Sequence, residues 1–111
     1  MAVTSEATAT QTAVIGTEHV LHTSTLPRTF VLLVDTTLMV GGVTPDIAVL
    51  RVKAKVLTAG AEVLAYEQSF VGLQGGKLKV SIPVPSLFSV SFTLTQTQGT
   101  GRAFPWVVVS V

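Results

Sequence analysis

The sequence contains no cysteine. A disulfide framework and any thiolate-based metal or nucleophilic site are therefore excluded. Charge is scarce: Asp, Glu, Lys and Arg make up 12% of the 111 residues, against about a quarter in a typical soluble domain. Aromatic residues account for 6%, with one Trp and one Tyr. No apolar run approaches the ~20 residues of a membrane-spanning helix. No basic segment followed by an apolar one opens the chain, so no secretory leader is expected. A formal net charge of +1 gives no reason to expect a nucleic-acid binder.

Apolar residues, by contrast, make up 48% of the chain. A chain of this length suits one domain, which buries roughly two-thirds of the surface exposed by its unfolded chain. It can fold without a covalent or metal staple. With so little charge to cover the outside, part of the apolar surface is expected to be covered by other chains. Assembly is thus the first functional expectation.

The periodicity is two. In Asp46 to Leu57, Ala48, Leu50, Val52, Ala54 and Val56 share one parity, while Arg51, Lys53 and Lys55 share the other. Successive strand residues point to opposite faces, so the first set is expected to face a core and the second solvent or a partner. Helical geometry would scatter the same residues around all sides. Thr29 to Asp35 reads as a strand after a Leu26-Pro27 turn. Glu62 to Phe70 places Leu64, Tyr66 and Phe70 on one parity with an imperfect phase, which implies a bulge or two buried faces. In Lys77 to Ile82, Leu78, Val80 and Ile82 are expected to face in and Lys77 and Lys79 out, with Pro83 and Pro85 ending the strand. Leu87 to Thr95 sets Phe88, Val90, Phe92 and Leu94 against Ser89, Ser91, Thr93 and Thr95. Arg102 to Val111 closes the chain with Phe104, Trp106 and Val108 on one face, and Pro105 argues for an edge or a bulge at its start.

The expected fold is all-β: a single β-sandwich or jelly-roll-like barrel of about seven or eight antiparallel strands over residues 13–111. Residues 1–12 (Met1 to Thr12) are small, polar and rich in Thr and Ala. They are expected to form an extended arm, docked either on a neighbouring subunit or on the arm's own domain.

Little in the sequence points to chemistry. His19 and His22 stand three apart on an expected strand and so point to opposite faces, which with Glu18 makes a poor metal site. The acidic residues are Glu6, Glu18, Asp35, Asp46, Glu62 and Glu67; Asp35 at a strand end and Asp46 after Pro45 both suit turn roles. There is no Gly-x-Ser-x-Gly elbow. Gly72 to Gly76 lacks the lysine and helix of a phosphate loop, and Gly99-Thr100-Gly101 precedes a strand and reads as a hairpin loop. No catalytic residue, cofactor or metal is expected.

Two features are candidates for partner contact. Arg51, Lys53 and Lys55 lie on one strand face and Lys77 and Lys79 on another; if those strands are neighbours, they form a positive stripe facing an acidic protein surface or a polyanion. The plainer reading is a solvated sheet face that resists edge pairing. Trp106 is either a core plug closing one end of the sandwich or an interface anchor. Stacking aromatics do not interleave with the lysines, so single-stranded nucleic acid is not an expected partner.

The order of elements resembles that of a group of small tailed-bacteriophage virion proteins. The matching pieces are Thr17-Glu18-His19-Val20-Leu21, Thr29 to Asp35, Leu50 to Leu57, Leu64-Ala65-Tyr66 and Pro83-Val84-Pro85, followed by Leu94 to Trp106. The most specific piece is Gln96-Thr97-Gln98-Gly99-Thr100-Gly101-Arg102-Ala103-Phe104-Pro105-Trp106. The resemblance carries no catalytic residues. It implies a particle component located in the virion, and the favoured form is a capsid decoration or cement protein on the capsid surface. Such a protein bridges capsomers, contacts the major capsid protein or another virion protein, and forms a small homo-oligomer, a trimer by preference, with no nucleic-acid or membrane partner. The alternatives are a tail, adaptor or fibre-associated component, or an unrelated carbohydrate-binding β-sandwich.

Overall fold

The apolar run Thr29 to Asp35 and the alternating segment Leu87 to Thr95 each supply a central strand of one sheet. The computed structural model describes residues 3–111 and folds them into nine strands with no helix among them. The strands are β1 (Thr4–Thr12), β2 (Glu18–Ser24), β3 (Arg28–Asp35), β4 (Ile47–Ala54), β5 (Val63–Val71), β6 (Leu78–Val80), β7 (Val84–Ser86), β8 (Val90–Gln98) and β9 (Ala103–Ser110). Sheet I has the order β1-β9-β3-β6, with β7 also pairing on β3; sheet II has the order β2-β8-β4-β5. All pairings are antiparallel. The all-β expectation holds in its sandwich form: two sheets pack face to face and do not close into a barrel.

The strand count exceeds seven or eight because two segments join the sheets. The described part of the arm is β1, which runs antiparallel to β9 from Thr4 opposite Ser110 to Thr12 opposite Ala103. Of the two placements open to the arm, it takes the one on its own domain; Met1 and Ala2 lie outside the described residues. Val84–Ser86 pairs with β3 despite Pro85, because it is a sheet edge and one of its sides needs no donor.

The core lies between the sheets. Phe30, Leu32 and Val34 of β3 and Phe104, Trp106 and Val108 of β9 face Ala48, Leu50 and Val52 of β4 and Val90, Phe92 and Leu94 of β8. The parity expected for β4, β8 and β9 is the one observed, except that Val56 lies beyond β4 and is exposed. Phe30 and Phe92 meet edge to face across the two sheets, 6.0 Å between ring centroids. This is a favoured aromatic geometry. Trp106 is buried within this cluster, as a core plug would be. β9 is a central strand rather than an edge. Pro105 is tolerated because the β3–β9 pairs end at Val34–Trp106, leaving Thr10 of β1 as its opposite neighbour.

Bulges shift the register in four places, one of them in β8, where the pairing steps from Ala48–Gln96 to Ile47–Gln98 and Thr97 is extra. In β5 the register steps from Val52–Tyr66 to Lys53–Leu64, leaving Ala65 as the extra residue and accounting for the imperfect alternation there. In β2 it steps from Val20–Thr93 to His22–Phe92, so Leu21 is extra. His19 and His22 therefore share the inward face, contrary to the expectation from their spacing. In β1 Glu6 is extra, between Ser5–Val109 and Ala7–Val108.

β6 overturns a second expectation. Leu33 pairs with Val80 and Val34 with Lys79. Since Val34 is buried, Lys79 faces inward and Leu78, Val80 and Ile82 are exposed, at 57%, 53% and 52%. The parity is inverted, as a one-residue change of register requires. The physical reason lies at the open flank of the sandwich. The Lys79 ammonium sits 4.9 Å from the centroid of the Phe70 ring on β5, so the lysine stem roofs the gap between the sheets while the charge rests on the ring. Ser81 is buried and its hydroxyl accepts from the Leu32 amide at 2.9 Å.

Candidate functional site

The outer face of sheet II is where sequence reasoning places a positive stripe. Arg51 and Lys53 do lie there, beside Thr93 and Ser91 of β8. They are neutralised within the chain. Arg51 Nε donates to Glu67 Oε1 at 2.7 Å, and Lys53 Nζ lies 3.2 Å from Glu18 Oε2. Glu18 also accepts from the Thr93 hydroxyl at 2.7 Å. Glu62 accepts from the hydroxyls of Ser89 and Ser91. The Thr93 hydrogen bond is the main cause that holds the Glu18 carboxyl below its ordinary pKa; burial opposes it, and Lys53 and Arg51 add to it. Thr93, Thr95 and Ser91 are buried although they face outward, covered by these long side chains.

The other basic residues go elsewhere. Lys79 lies at the flank over Phe70. Lys77 ends the loop before β6, and its own backbone carbonyl accepts from the Thr36 amide and hydroxyl. Lys55, beyond the end of β4, lines an open groove of about 510 Å³ with Arg28, Ser86, Leu87 and Val111. β4 and β6 belong to different sheets, so the five residues do not form one stripe. In that groove Arg28 is held by Glu6 at 2.7 Å. Ser86 Oγ is the one buried side-chain polar atom without a partner among the described residues.

At the opposite end, Asp46 organises the loops. Its carboxylate is buried, 1% exposed, and accepts from the Arg102 Nε at 2.8 Å, the Val40 amide at 3.0 Å and the Thr100 amide at 3.2 Å. Burial alone would raise its pKa. The Val40 amide, the Arg102 guanidinium and the Thr100 amide outweigh burial, and the net direction is down. Gln96, fully buried, completes the frame: its Nε2 donates to the Thr100 and Gln98 carbonyls, and its Oε1 accepts from the Arg102 amide at 2.9 Å. Gly99 has φ of 96°, and a Cβ there would collide with the Asp46 carboxylate. Within the Gln96 to Trp106 motif, Gln96, Gly99, Thr100 and Arg102 thus build the loop, and Phe104 and Trp106 build the core. Sequence reasoning saw Asp46 as a turn residue and missed its partner Arg102, which lies 56 residues away along the chain.

The histidines are packing residues. His19 Nε2 accepts from the Val14 amide at 3.0 Å, and His22 stacks on Phe92 at 6.4 Å between centroids. Among the described residues, no three of His, Asp and Glu converge as around a metal ion. Asp35 accepts from the Thr37 amide at 2.8 Å and from its hydroxyl, which keeps its pKa low and marks a turn role.

The remaining surface is the outer face of sheet I. Cross-strand partners share a face, so the outward set is Val31 and Leu33 of β3, Val107 and Val109 of β9, and Leu78 and Val80 of β6. Asp35, opposite Leu78, is the charged residue on this face, at its end. An apolar depression of about 230 Å³ lies here, lined by Leu33, Leu78, Pro105, Trp106 and Val107 together with Thr8 and Asp35. Val43, Val56, Leu57 and Leu73 are exposed on turns as well, and on sheet II Val20 of β2 and Val63, Leu64 and Val71 of β5 are exposed. Comparison with protein-family models, curated proteins and solved structures found no match.

Proposed function

We propose that this chain is a non-enzymatic structural protein of a tailed-bacteriophage virion, acting as a decoration or cement protein that binds the capsid surface and bridges capsomers. One observation carries the assembly half of this reading: an apolar sheet face with Leu78 and Val80 in the open and a single charge, Asp35, at its end, on a domain whose buried polar groups are nearly all committed to its own fold. Contiguous apolar surface of this kind marks a contact with other chains. The particle half rests on the sequence resemblance described above. The partner is then the major capsid protein or another virion protein, and the chain acts as a small homo-oligomer.

The carbohydrate-binding alternative loses support. It needs aromatic rings in the open, and all seven aromatic side chains are buried or half-buried. The basic residues support only a local role in partner contact. Of Arg51, Lys53, Lys55, Lys77 and Lys79, only Lys55 lines an open groove.

Quantitative mass spectrometry of purified particles, split into heads and tails, tests the proposal. A simple integer ratio to the main shell protein in the heads is the expected result. Recovery of a few copies with the tails would move the protein to the adaptor or fibre class, and absence from both fractions would end the virion reading.

A further inference from the structure

We propose that the groove lined by Arg28, Lys55 and Ser86, at the open end of the sandwich, takes the carboxylate of an acidic side chain set among apolar residues on a partner protein. This concerns the isolated chain and does not depend on the virion reading, which stands or falls separately.

The two ends of the sandwich use the same kinds of group in opposite ways. At the closed end the Asp46 carboxylate sits among a guanidinium and two backbone amides, all donating to it. At the open end a guanidinium, an ammonium and a hydroxyl line one groove of about 510 Å³. The carboxylate bonded there, Glu6, serves Arg28 and Ser110 only. Lys55 follows β4 of sheet II and is anchored by its amide, which donates to the Ser89 carbonyl at 3.1 Å. Arg28 and Ser86 belong to β3 and β7 of sheet I. They are directly paired across the two strands, so their side chains share a face. The groove therefore draws its cations from both sheets.

Three donors there have capacity left. Lys55 has no ion-pair partner among the described residues. Arg28 uses Nη1 for Glu6, at 2.7 Å, and its side chain is 43% exposed. Ser86 is the sharper sign. It is 6% exposed, and its Oγ is the one buried side-chain polar atom without a partner among the described residues. An unmade hydrogen bond at a buried hydroxyl is costly, so such a group beside two cations is matched by an anion that accepts from all three. Val111 also lines the groove, and its carboxylate forms an ion pair with neither cation.

The class of anion follows from the charges and the walls. Glu6 lies against Arg28, so a dianion such as phosphate meets about twice the repulsion that a single carboxylate meets. Pro27, Pro85 and Leu87 line the rest of the groove, and Leu87 is exposed. These walls offer apolar contact to residues beside the carboxylate, whereas a free inorganic anion leaves them uncovered. An acidic residue between apolar neighbours meets both conditions.

Amide chemical-shift titration of the full, isotope-labelled chain tests this with three probes. They are the acetylated and amidated tripeptide Leu-Glu-Leu, its Leu-Gln-Leu counterpart, and inorganic phosphate. The expected result is saturable shifts at Arg28, Lys55, Ser86 and Leu87 with the Glu peptide at about millimolar concentration. The Gln peptide should bind about tenfold more weakly, and phosphate more weakly than the Glu peptide. Ser86→Ala should weaken the Glu peptide about tenfold, the worth of a hydrogen bond to a charged group. The same change should leave the urea midpoint unchanged or higher, because no group inside the fold loses a partner. Lys55→Gln should weaken the Glu peptide about threefold at low salt and less at high salt. Equal binding of the two peptides, or tighter binding of phosphate, overturns the acidic-segment assignment. A lower midpoint for Ser86→Ala gives the hydroxyl a role in the fold and overturns the site, as does the absence of shifts at Lys55 and Ser86.

Discussion

The two outer faces of this sandwich are made from equally regular strands and end in opposite states. On sheet II the outward positions of β4 and β8 carry Arg51, Lys53, Thr93 and Ser91, and the neighbours Glu18, Glu62 and Glu67 satisfy them within the chain. On sheet I the outward positions of β3, β6 and β9 carry Val, Leu and Pro with Asp35 at the end; Leu78 and Val80 are exposed, and Val31, Leu33, Val107 and Val109 are half-buried. A face rich in charge need not be a binding face when its charges are already paired. The poorer-looking face, with one carboxylate at its end and otherwise mostly apolar side chains, is the one with exposed apolar surface. The difference teaches that the partner-seeking side of a low-charge domain is found by asking which groups lack a partner, not which groups are charged.

The strongest way to break this comparison is to remove what holds both sheets in one frame. Asp46 lies at the start of β4 in sheet II, and its partner Arg102 immediately precedes β9 of sheet I. Asp46→Ala leaves the guanidinium and the amides of Val40 and Thr100 without their acceptor, and breaking a buried pair in this way costs about 3 kcal/mol. Urea unfolding should show this as a lower midpoint. Because the folded pKa of Asp46 lies below its ordinary 3.8, its charge contribution is fully present above that value and is lost as pH falls through the lower folded one. Asp46→Asn should therefore flatten the acid limb of stability below about pH 4. An unchanged midpoint for Asp46→Ala would remove the hub from the account.

The next test addresses sheet II alone. Glu18 is shared by Thr93, Lys53 and Arg51, and is partly exposed, so its loss is screened. Glu18→Gln should destabilise by about 1 kcal/mol. It should leave binding to particles untouched, because the face it serves is already satisfied. A loss of particle binding without a change in unfolding midpoint would show that this face binds a partner after all.

How much of this was legible depends on strand length and on how local each cause is. The inward sets of β4, β8 and β9 could be read because eight or nine residues repeat the phase enough to anchor it. β6 spans three residues between turns, and a three-residue strand has no anchor. Its lysine was assigned by charge, whereas the long stem of Lys79 lets it serve an inward position. The histidines were separated by counting, and the extra Leu21 in β2 has no signature in composition. The Asp46 and Arg102 pair joins residues 56 apart, so only the fold brings it together. The apolar face itself was foreseen as an excess of apolar residues over charge, but not where it would lie. That location follows from the β6 register, the element the sequence misleads on.

That register is also where the smallest effects are the most telling. Lys79 and Val80 are adjacent on a short edge strand, and the plain reading of their side chains puts the valine inside. The pairing of Val34 with Lys79 puts the lysine inside instead, with its ammonium over Phe70. Lys79→Ala should then uncover Phe70 and the flank between the sheets, at a cost of about 0.5–1 kcal/mol. Val80→Ala should cost less than about 0.5 kcal/mol, the range of a surface change. Urea midpoints of the two variants give the order directly. If Val80→Ala is the more destabilising, β6 has the parity its sequence implies, Leu78 and Val80 leave the outer face of sheet I, and the two outer faces lose the contrast on which the assignment of a partner surface depends.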